Sequence, residues 1–334
     1  MSGFLWLLSA LALLTLVLHL AARFWFTPRA TWMFERLPWL PVTWYEPLTG
    51  GEDAEFSTGD GVRLRGTYLP STAQRRLGVL LYCHELNADR CNVRPSAEKL
   101  RGLGFDLLAF DFRNHGTSDR AVGYDPSPWT TQQDVLDVKA AIDYLASRPD
   151  ADARGIGLIG AGKGASAAVC AATGDSRVRL VVAEGLYPTR PIGARLVGRF
   201  HRANWLVAAL DRIAWLLDAW AVFVLGRRRG YHFLDVERVA SACRQPVLLV
   251  HAEWDRYVPL AWIRLMHRRL ARGSSLWIVR GLKHAVAAES AGEEYVRHVG
   301  RFLRRHFGSG QPADPVAAPG HRLEPVPASV FLSS

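Results

Sequence analysis

The stretch IGLIGAGKGASAA, residues 156–168, carries the strongest structural signal in this chain. Its first half alternates aliphatic residues with glycine and predicts a buried strand. Its second half contains small residues and one lysine, which suits a helix packed closely on a sheet. Between them, the run from Gly160 to Gly164 predicts a tight turn, because glycine adopts strained backbone angles at little steric cost. A strand that turns directly into a helix predicts an α/β architecture.

Short apolar runs and helical patterns alternate along the chain between about residues 50 and 307. This alternation predicts a mostly parallel central sheet with flanking helices. An earlier turn, Gly59-Asp60-Gly61, predicts a β-hairpin between residues 55–57 and 64–68. The remaining strands are predicted at 77–82, 106–110, 155–159, 180–183, 246–251 and 276–279, and the helices at 96–103, 130–146, 163–173, 258–271 and 288–306.

Polar residues follow several predicted strands, at the sheet edge where open parallel sheets bind their ligands. The segment LLYCHELNADR (80–90) ends a strand in His84-Glu85-Leu86-Asn87. Two later segments, LLVHAEWDRYVP (248–259) and WIVRGLKHA (277–285), bring Asp255 and His284 to the same edge. These loops and the glycine turn therefore define the predicted functional edge of the sheet.

Taken in order, an HG-like loop, a glycine-flanked elbow, an aspartate after a strand and a late histidine resemble the α/β-hydrolases. The resemblance covers about residues 50 to 307 and includes FDLLAFDFRNHGTSD at 105–119. More narrowly, the chain is similar to membrane-anchored bacterial hydrolases grouped with serine aminopeptidase-like and BEM46-like proteins. The resemblance implies a serine hydrolase that acts on ester or amide substrates of acyl or lipid-like character, with no cofactor and no metal.

The resemblance also assigns roles to residues of the predicted site. Asp255 would orient His284, the general base, and the backbone N–H groups of Leu86 and Lys163 would form the oxyanion hole. The nucleophile position, however, falls on Gly162, which has no side chain. Because removal of the triad serine of subtilisin lowers turnover about a million-fold, we expect weak or absent hydrolase activity.

Alternatives to a serine at residue 162 remain open from the sequence. Ser166 lies one helical turn further on and is the candidate for a displaced nucleophile. Asp255 and His284 either activate a water or persist as a buried structural pair, and a pseudoenzyme that binds a ligand in the retained pocket is the competing function. Asp111 and Asp134 are expected to fix a loop and cap a helix, respectively.

A second competing function is nucleotide binding, since GLIGAGKG (157–164) is one residue from a phosphate-binding Walker A loop. The loop ends in Gly164, where that motif needs a serine or threonine for Mg²⁺. Its first glycine also falls inside the predicted strand. No RNA-binding or helix-turn-helix signature supports a nucleic-acid partner.

The N-terminal residues 4–22 read FLWLLSALALLTLVLHLAA, an apolar run long enough to cross a bilayer. A transmembrane anchor over 1–24 is therefore predicted, with a cleaved signal peptide as the alternative. The positive charges that follow the run predict a single-pass protein whose globular domain faces the cytoplasm. The remaining divisions are a juxtamembrane linker at 25–49, the hydrolase domain at 50–308 with a helical cap at 188–235, and a disordered tail at 309–334.

The chain of 334 residues is basic, with a formal net charge of +10. The excess positive charge is concentrated at residues 23–36, 190–229 and 297–305, and two of these stretches belong to the linker and the cap. Arginine near anionic headgroups favours membrane binding, so anionic membrane lipids are predicted as a partner beside a small acyl-type ligand. The four cysteines show no metal-ligand spacing and are expected in the core.

Overall fold

The computed structural model describes residues 3–14, 43–189, 232–282 and 287–308, together with residues 17, 20, 21, 24, 192, 226, 230 and 284. The chain divides into two compact units. One comprises Met1–Leu37, Gly193–Arg229 and Gly320–Ser334, and the other comprises Pro38–Ile192 and Gly230–Pro319. The strands, their flanking helices and the candidate site belong to the second unit.

Eight strands of the second unit form one sheet. In chain order they are β1 (Glu52–Ser57), β2 (Arg63–Leu69), β3 (Gly78–Cys83), β4 (Phe105–Phe110), β5 (Ile156–Ala161), β6 (Val178–Glu184), β7 (Val247–Ala252) and β8 (Ser275–Val279). Their order across the sheet is β1-β2-β4-β3-β5-β6-β7-β8. The pairs β1–β2 and β2–β4 are antiparallel, and the later pairs are parallel. The predicted mostly parallel sheet and its N-terminal hairpin are confirmed.

The helices that flank the sheet are α1 (Arg94–Gly102), α2 (Gln132–Ser147), α3 (Lys163–Ala172), α4 (Val236–Ser241), α5 (Leu260–His267), α6 (Ala287–Ser290) and α7 (Gly292–Gly308). The five predicted helices are present with shifted ends, and the structure adds one that was not predicted, α4. The single helix predicted over 288–306 is wrong in one respect, because the structure divides it into α6 and α7. Gly292 at the division has a φ of +39°, which interrupts the helical hydrogen-bond pattern.

Helix α2 begins with a reciprocal cap. The Thr131 side chain accepts a hydrogen bond from the Asp134 N–H, and Asp134 Oδ2 accepts one from the Thr131 N–H at 2.7 Å. This capping box satisfies two backbone donors that the first helical turn leaves without intrahelical partners. Asp134 therefore has the helix-capping contact expected of it.

The last helix, α7, closes the core on one face of the sheet. Its apolar side packs against strand residues in one hydrophobic cluster. The helix contributes the buried residues Tyr295, Val299, Phe302, Leu303 and Phe307 to this cluster. The Phe307 ring approaches the strands at Gly78 and Gly157, where an added Cβ would lie 2.7 and 3.1 Å from ring carbons. Glycine at these two positions lets the aromatic ring pack directly against the sheet backbone.

Several predicted segments fall wholly or largely outside the described residues. These are the linker at 25–49, most of the cap at 188–235 and the tail at 309–334. Residues 3–14 are helical, but none of the helices in the described part of the chain combines the length and hydropathy that a bilayer crossing requires.

Candidate active site

The turn between β5 and α3 has the strained geometry predicted for it. Gly162 separates the strand from the helix with φ +49° and ψ −112°, a conformation that residues with a Cβ rarely adopt. Its N–H donates to the Glu184 carbonyl at 2.8 Å, which ties the turn to the neighbouring strand β6. The turn therefore lies at the sheet edge, and its residue 162, a glycine, has no side chain.

The predicted acid and base lie in direct contact. His284 Nδ1 is 2.5 Å from Asp255 Oδ2, while Asp255 Oδ1 accepts hydrogen bonds from the N–H groups of Tyr257 and Val258 at 2.8 and 2.9 Å. These bonds hold the carboxylate against the imidazole. His284 Nε2 is buried, and no described residue gives it a hydrogen-bond partner.

Electrostatics at this pair favour ionised groups. Burial opposes a charged His284, yet the hydrogen bond and charge of Asp255, together with the charges of Glu85 and Glu184, raise the pKa of the imidazole overall. For Asp255, burial by itself raises the pKa of the carboxyl. The hydrogen bond to His284 and its charge outweigh this effect, so the pKa is lowered overall. His284 can therefore accept a proton at Nε2 and hold it beside a negative charge.

The two backbone donors predicted for an oxyanion hole converge on one atom. The N–H groups of Leu86 and Lys163 donate to Glu85 Oε1 at 2.7 and 3.0 Å. Such a pair of aligned N–H groups is the device that stabilises a developing oxyanion in acyl transfer. Here the chain's own carboxylate occupies it.

Glu85 also fills the space beside Gly162 at the tip of the turn. A Cβ added to Gly162 would overlap the carboxylate carbon and both oxygens of Glu85. The sheet register explains this contact: Cys83 of β3 is paired with Gly160 of β5, so the residues two positions further on, Glu85 and Gly162, also lie side by side. The carboxylate therefore occupies the volume that a side chain at residue 162 would take.

Glu85 carries no recognisable motif of its own. Two features of the sequence point to it: an acidic residue directly after His84, where the HG-like loop has glycine, and the glycine at residue 162. Only together do they indicate a carboxylate in the nucleophile position, because each alone is compatible with a surface loop or a tight turn.

His84 holds the Glu85 loop in place. Its Nε2 accepts a hydrogen bond from the Phe112 N–H at 3.0 Å, so that its Nδ1 donates to the Glu85 carbonyl at 2.7 Å. Burial lowers the pKa of His84 well below its usual value, and the ring is neutral. Because both ring nitrogens are engaged in these backbone bonds, His84 positions the loop and does not supply a base.

The Glu85 carboxylate is almost fully buried, at 6% exposure. Burial raises its pKa, while the charges of His284 and Lys163 and the two backbone hydrogen bonds oppose that shift. The two oxygens differ: Oε1 holds both N–H bonds, and Oε2 has no hydrogen-bond partner among the described residues. The site therefore contains one oxygen with free lone pairs at the tip of the turn.

Ser166, the candidate displaced nucleophile, does not contact His284. It is fully buried, and its hydroxyl donates to the Gly162 carbonyl at 3.4 Å within the first turn of α3. All four cysteines are buried and free, as expected for core residues. Burial raises the pKa of Cys83 and Cys170, which keeps these thiols protonated.

A buried ion pair supports the base of the site. Lys163 Nζ lies 2.9 Å from Asp134 Oδ1, and both side chains are nearly inaccessible. This pair connects the start of α3 to the start of α2 and borders a small cavity. The cavity is lined by His84, Glu85, Leu86, Phe112, His115, Asp134 and Lys163. The sequence suggested a Walker-like lysine here, but its ammonium is held by a carboxylate.

Asp111 has the loop-fixing contacts expected of it. Oδ1 accepts a hydrogen bond from the Arg90 N–H at 2.7 Å, and Oδ2 accepts from the Arg90 guanidinium at 2.5 Å and the Thr117 N–H at 2.9 Å. These bonds join the loop after β3 to the loop after β4. They hold the segment that carries Glu85 without contacting its carboxylate.

A further buried carboxylate, Glu184, lies at the end of β6. Its Oε1 accepts hydrogen bonds from the N–H groups of Ala287 and Ala288, at 2.6 and 3.4 Å, which caps α6 just after the His284 loop. Burial raises the pKa of Glu184 to about 7.

A second histidine, His251, also lies near Asp255, with its Nδ1 3.9 Å from the same Oδ2 that contacts His284. Neither Glu184 nor His251 is identified by a sequence motif.

Within the described residues, no group of three or more histidine, cysteine, aspartate or glutamate side chains is arranged to hold a metal ion.

Solved structures of other proteins have a similar fold. An esterase from Pyrococcus furiosus, Pf2001, superimposes with a TM-score of 0.61 at 22% identity, covering 80% of this chain and 97% of the esterase. The chain has the α/β-hydrolase fold. A second protein of this fold, GrgF from a Penicillium species, gives a TM-score of 0.58 at 21% identity over 78% of this chain and 99% of its own.

Sequence comparisons extend over much of the same region. The uncharacterized protein Rv2307c from Mycobacterium tuberculosis is 28% identical over 264 residues, which is 79% of this chain and 83% of that protein. The thiohydrolase aneE from Aspergillus aculeatus is 34% identical over 131 residues, 39% of this chain and 40% of its own length. No protein-family model matches the chain. These likenesses fit an α/β-hydrolase fold.

Proposed function

We propose that this protein is an α/β-hydrolase-fold protein that does not hydrolyse esters or amides through a serine, and that Glu85, His284 and Asp255 form its reactive site. The observation that carries the proposal is the Glu85 carboxylate, which fills both the oxyanion hole and the space of the missing nucleophile. An acyl substrate therefore finds neither a hydroxyl to attack it nor free N–H donors to stabilise its intermediate.

The remaining groups favour hydrolytic chemistry of another kind. Asp255 holds Nδ1 of His284, which leaves Nε2 as the proton acceptor, and the acid stabilises the imidazolium after proton transfer. His284 would act as the general base that takes a proton from a water molecule, a role that histidine side chains commonly have in enzymes. The rings of Tyr187 and Tyr257 lie beside the imidazole, with centroids 6.3 and 5.9 Å from that of His284.

A fluorophosphonate probe tests the loss of serine chemistry. We expect no labelling of the purified full-length protein and no turnover of p-nitrophenyl butyrate above background. Labelling of the peptide that contains Ser166, abolished by Ser166→Ala, would contradict the proposal. Hydrolysis of other substrate classes is expected to depend on both Glu85 and His284, whereas Ser166→Ala serves as the matched control that leaves it unchanged.

A pseudoenzyme is the second candidate function, and the filled oxyanion hole favours it. In this case the pocket binds an acyl-type or lipid-like ligand without turnover. The two candidates differ in their response to His284→Ala: any hydrolysis that this variant abolishes excludes the pseudoenzyme, whereas unchanged ligand binding with no turnover in either protein supports it.

We further propose that residues 1–24 anchor the protein in a membrane, with the globular domain on the cytoplasmic side and its arginines near anionic lipids. The apolar sequence of residues 4–22 supports an anchor, as does the exposure of Phe4, Trp6 and Leu7 on the helical segment 3–14. Release of the full chain from a bacterial membrane fraction should need detergent and not high salt. An anchor-deleted chain that fails to bind vesicles of phosphatidylglycerol at low salt would contradict the lipid contact.

A further inference from the structure

Arginines are concentrated around β8, the last strand of the sheet. Residues 256–288 contain six arginines and no acidic residue, and residues 295–308 contain four arginines and no acidic residue. All ten are exposed, and none of them forms an ion pair with a described residue. We call these ten side chains the basic edge. We propose that the basic edge binds the surface of a membrane that contains anionic lipids.

The inference rests on the proposed lipid contact and assigns that contact to a surface. The arginines of the linker and the cap lie outside this surface, since the basic edge belongs to α5, β8, α7 and their connections. It therefore binds lipid by a part of the fold that the apolar N-terminal run does not include.

Contacts around β8 bring the two arginine-bearing stretches together. Helix α5 packs against β7 and β8. On α7, the His298 ring stacks on Trp277 of β8, with the ring centroids 4.4 Å apart and the planes 5° from parallel. At the end of α7, His306 Cε1 lies 3.4 Å from the position of a Cβ added to Gly273, which directly follows Arg272. Because β8 is the last strand in the sheet order, the arginines of both helices border one edge of the sheet.

The arginines of α7 share the side of the helix that faces away from the core. Their spacing of four, three and one residues places them on one helical face; they are Arg297, Arg301, Arg304 and Arg305. The helix dipole accounts for a basic residue in the last turn only, which is Arg305. The acids at the helix start have other partners, since Glu293 lies 3.0 Å from Lys99 Nζ and Glu294 lies 3.8 Å from His298 Nε2. The positive charge of this face is therefore not neutralised by these acids.

Exposed apolar side chains among the arginines favour a lipid partner. Leu265 on α5 is 44% exposed and directly follows Arg264. Trp254 is 63% exposed, and its N–H donates to the Leu282 carbonyl at 3.1 Å, which holds it near the end of β8. Tryptophan and arginine together suit a membrane interface, where guanidinium groups bind phosphodiesters and apolar rings lie at the depth of the headgroups. A nucleic acid would bind the arginines through its phosphates but would give Leu265 no apolar partner.

A fluorophore at residue 265 of the full-length chain tests the contact. The four native cysteines are buried, so the environment-sensitive dye NBD attaches selectively to the thiol of Leu265→Cys. The labelled chain is reconstituted into liposomes of phosphatidylcholine, with or without phosphatidylglycerol. We expect the emission to shift to shorter wavelength, and to be quenched by nitroxide-labelled lipids, only when phosphatidylglycerol is present. High salt should reverse both effects because it screens exposed charges.

Controls separate the basic edge from the net charge of the chain. The same dye at Ser57→Cys, an exposed position on the strand at the other edge of the sheet, should show no shift. In the chain labelled at residue 265, Arg264→Glu and Arg301→Glu should each raise the phosphatidylglycerol content needed for a half-maximal shift about tenfold. Arg120→Glu, which makes the same change of charge at an exposed position beside β2, should leave the shift unchanged. Circular dichroism checks that each variant is folded.

The readouts distinguish the failure of this inference from the failure of the proposed anchor. Flotation of the chain with liposomes of phosphatidylcholine alone reports the anchor, whereas the shift with phosphatidylglycerol reports the basic edge. A chain that floats with the liposomes but shows no shift overturns the basic edge and keeps the anchor. If the chain does not float, the labelled chain is titrated with phosphatidylglycerol vesicles, and an absent shift then overturns both. A label that responds to single-stranded RNA and not to phosphatidylglycerol would overturn the lipid partner.

Discussion

At the scale of single residues, Gly162 and Glu85 act as one unit because they compete for the same space. The carboxylate of Glu85 takes the volume of the side chain that Gly162 lacks, and it also takes the two N–H donors beside it. Neither residue can be understood alone. Without Glu85 the space beside Gly162 would be empty, and beside any larger residue at 162 the Glu85 carboxylate would have to move.

This competition predicts the outcome of restoring a serine. We expect Gly162→Ser by itself to give no esterase activity, because the new side chain meets the Glu85 carboxylate at a backbone φ of +49°. The strain should lower the free energy of unfolding by ~1–3 kcal/mol. The double variant Gly162→Ser, Glu85→Gly removes the overlap and frees the oxyanion donors.

The single and double variants are compared by their hydrolysis of p-nitrophenyl butyrate and by fluorophosphonate labelling of the peptide that contains residue 162. Both signals should rise in the double variant, and urea unfolding should report the strain in the single variant. Equal esterase activity in the single and double variants would show that Glu85 does not block residue 162.

At the scale of elements, the groups of the candidate site come from loops after four strands of the sheet. The loop after β3 supplies Glu85, the β5–α3 turn supplies the Lys163 N–H, and the loops after β7 and β8 supply Asp255 and His284. These loops converge because the strands end at one edge of the sheet. The start of α3 is further held to α2 by the buried pair of Lys163 and Asp134.

Removal of one member of this buried pair should be costly. Lys163→Met leaves the Asp134 carboxylate buried without its cation, and we expect a loss of ~3–5 kcal/mol in the free energy of unfolding. The backbone N–H to Glu85 is retained, so the effect is on the connection between α2 and α3. Urea denaturation followed by circular dichroism measures the difference.

The matched control is an exposed ion pair formed by α2, the helix that also carries Asp134. Asp143 lies 2.7 Å from the Arg177 guanidinium at the surface, and Asp143→Asn should change the free energy of unfolding by roughly 0–1 kcal/mol. If Lys163→Met were no more destabilising than Asp143→Asn, the buried pair would have no structural role.

At the scale of the whole molecule, the buried Glu184 makes stability depend on pH. Burial raises its pKa from 4.5 to about 7, so the folded chain keeps this proton in a range where the unfolded chain has lost it. The stabilising contribution of Glu184 is thus complete below about pH 4.5. It is lost as the pH rises towards 7.

Glu184→Gln should remove this dependence while it preserves the acceptor for the Ala287 N–H. Relative to the unmodified chain, we expect the variant to gain stability as the pH rises from 5 to 7, by roughly 1.4 kcal/mol for each unit of pKa difference. Urea unfolding at pH 5, 6, 7 and 8 tests this, with the exposed Glu253→Gln as the control. A constant difference between the two chains across this range would contradict the raised pKa.

The architecture was predictable from the sequence because strands and helices are local patterns. Short apolar runs separated by helical patterns predicted β3 to β8. The order of the motifs predicted that Asp255 and His284 lie together, as they do in the structure. The contact between Glu85 and Gly162 could not be predicted from local patterns. The two residues meet because β3 and β5 are neighbours in the sheet, paired at Cys83 and Gly160, and this register exists only in the folded molecule.

The shared space at residues 85 and 162 also couples what the two positions can hold across related chains. A side chain at 162 must either displace the Glu85 carboxylate or strain the turn. Homologous chains should therefore pair glutamate at 85 with glycine at 162, and chains with a larger residue at 162 should carry a small residue at 85.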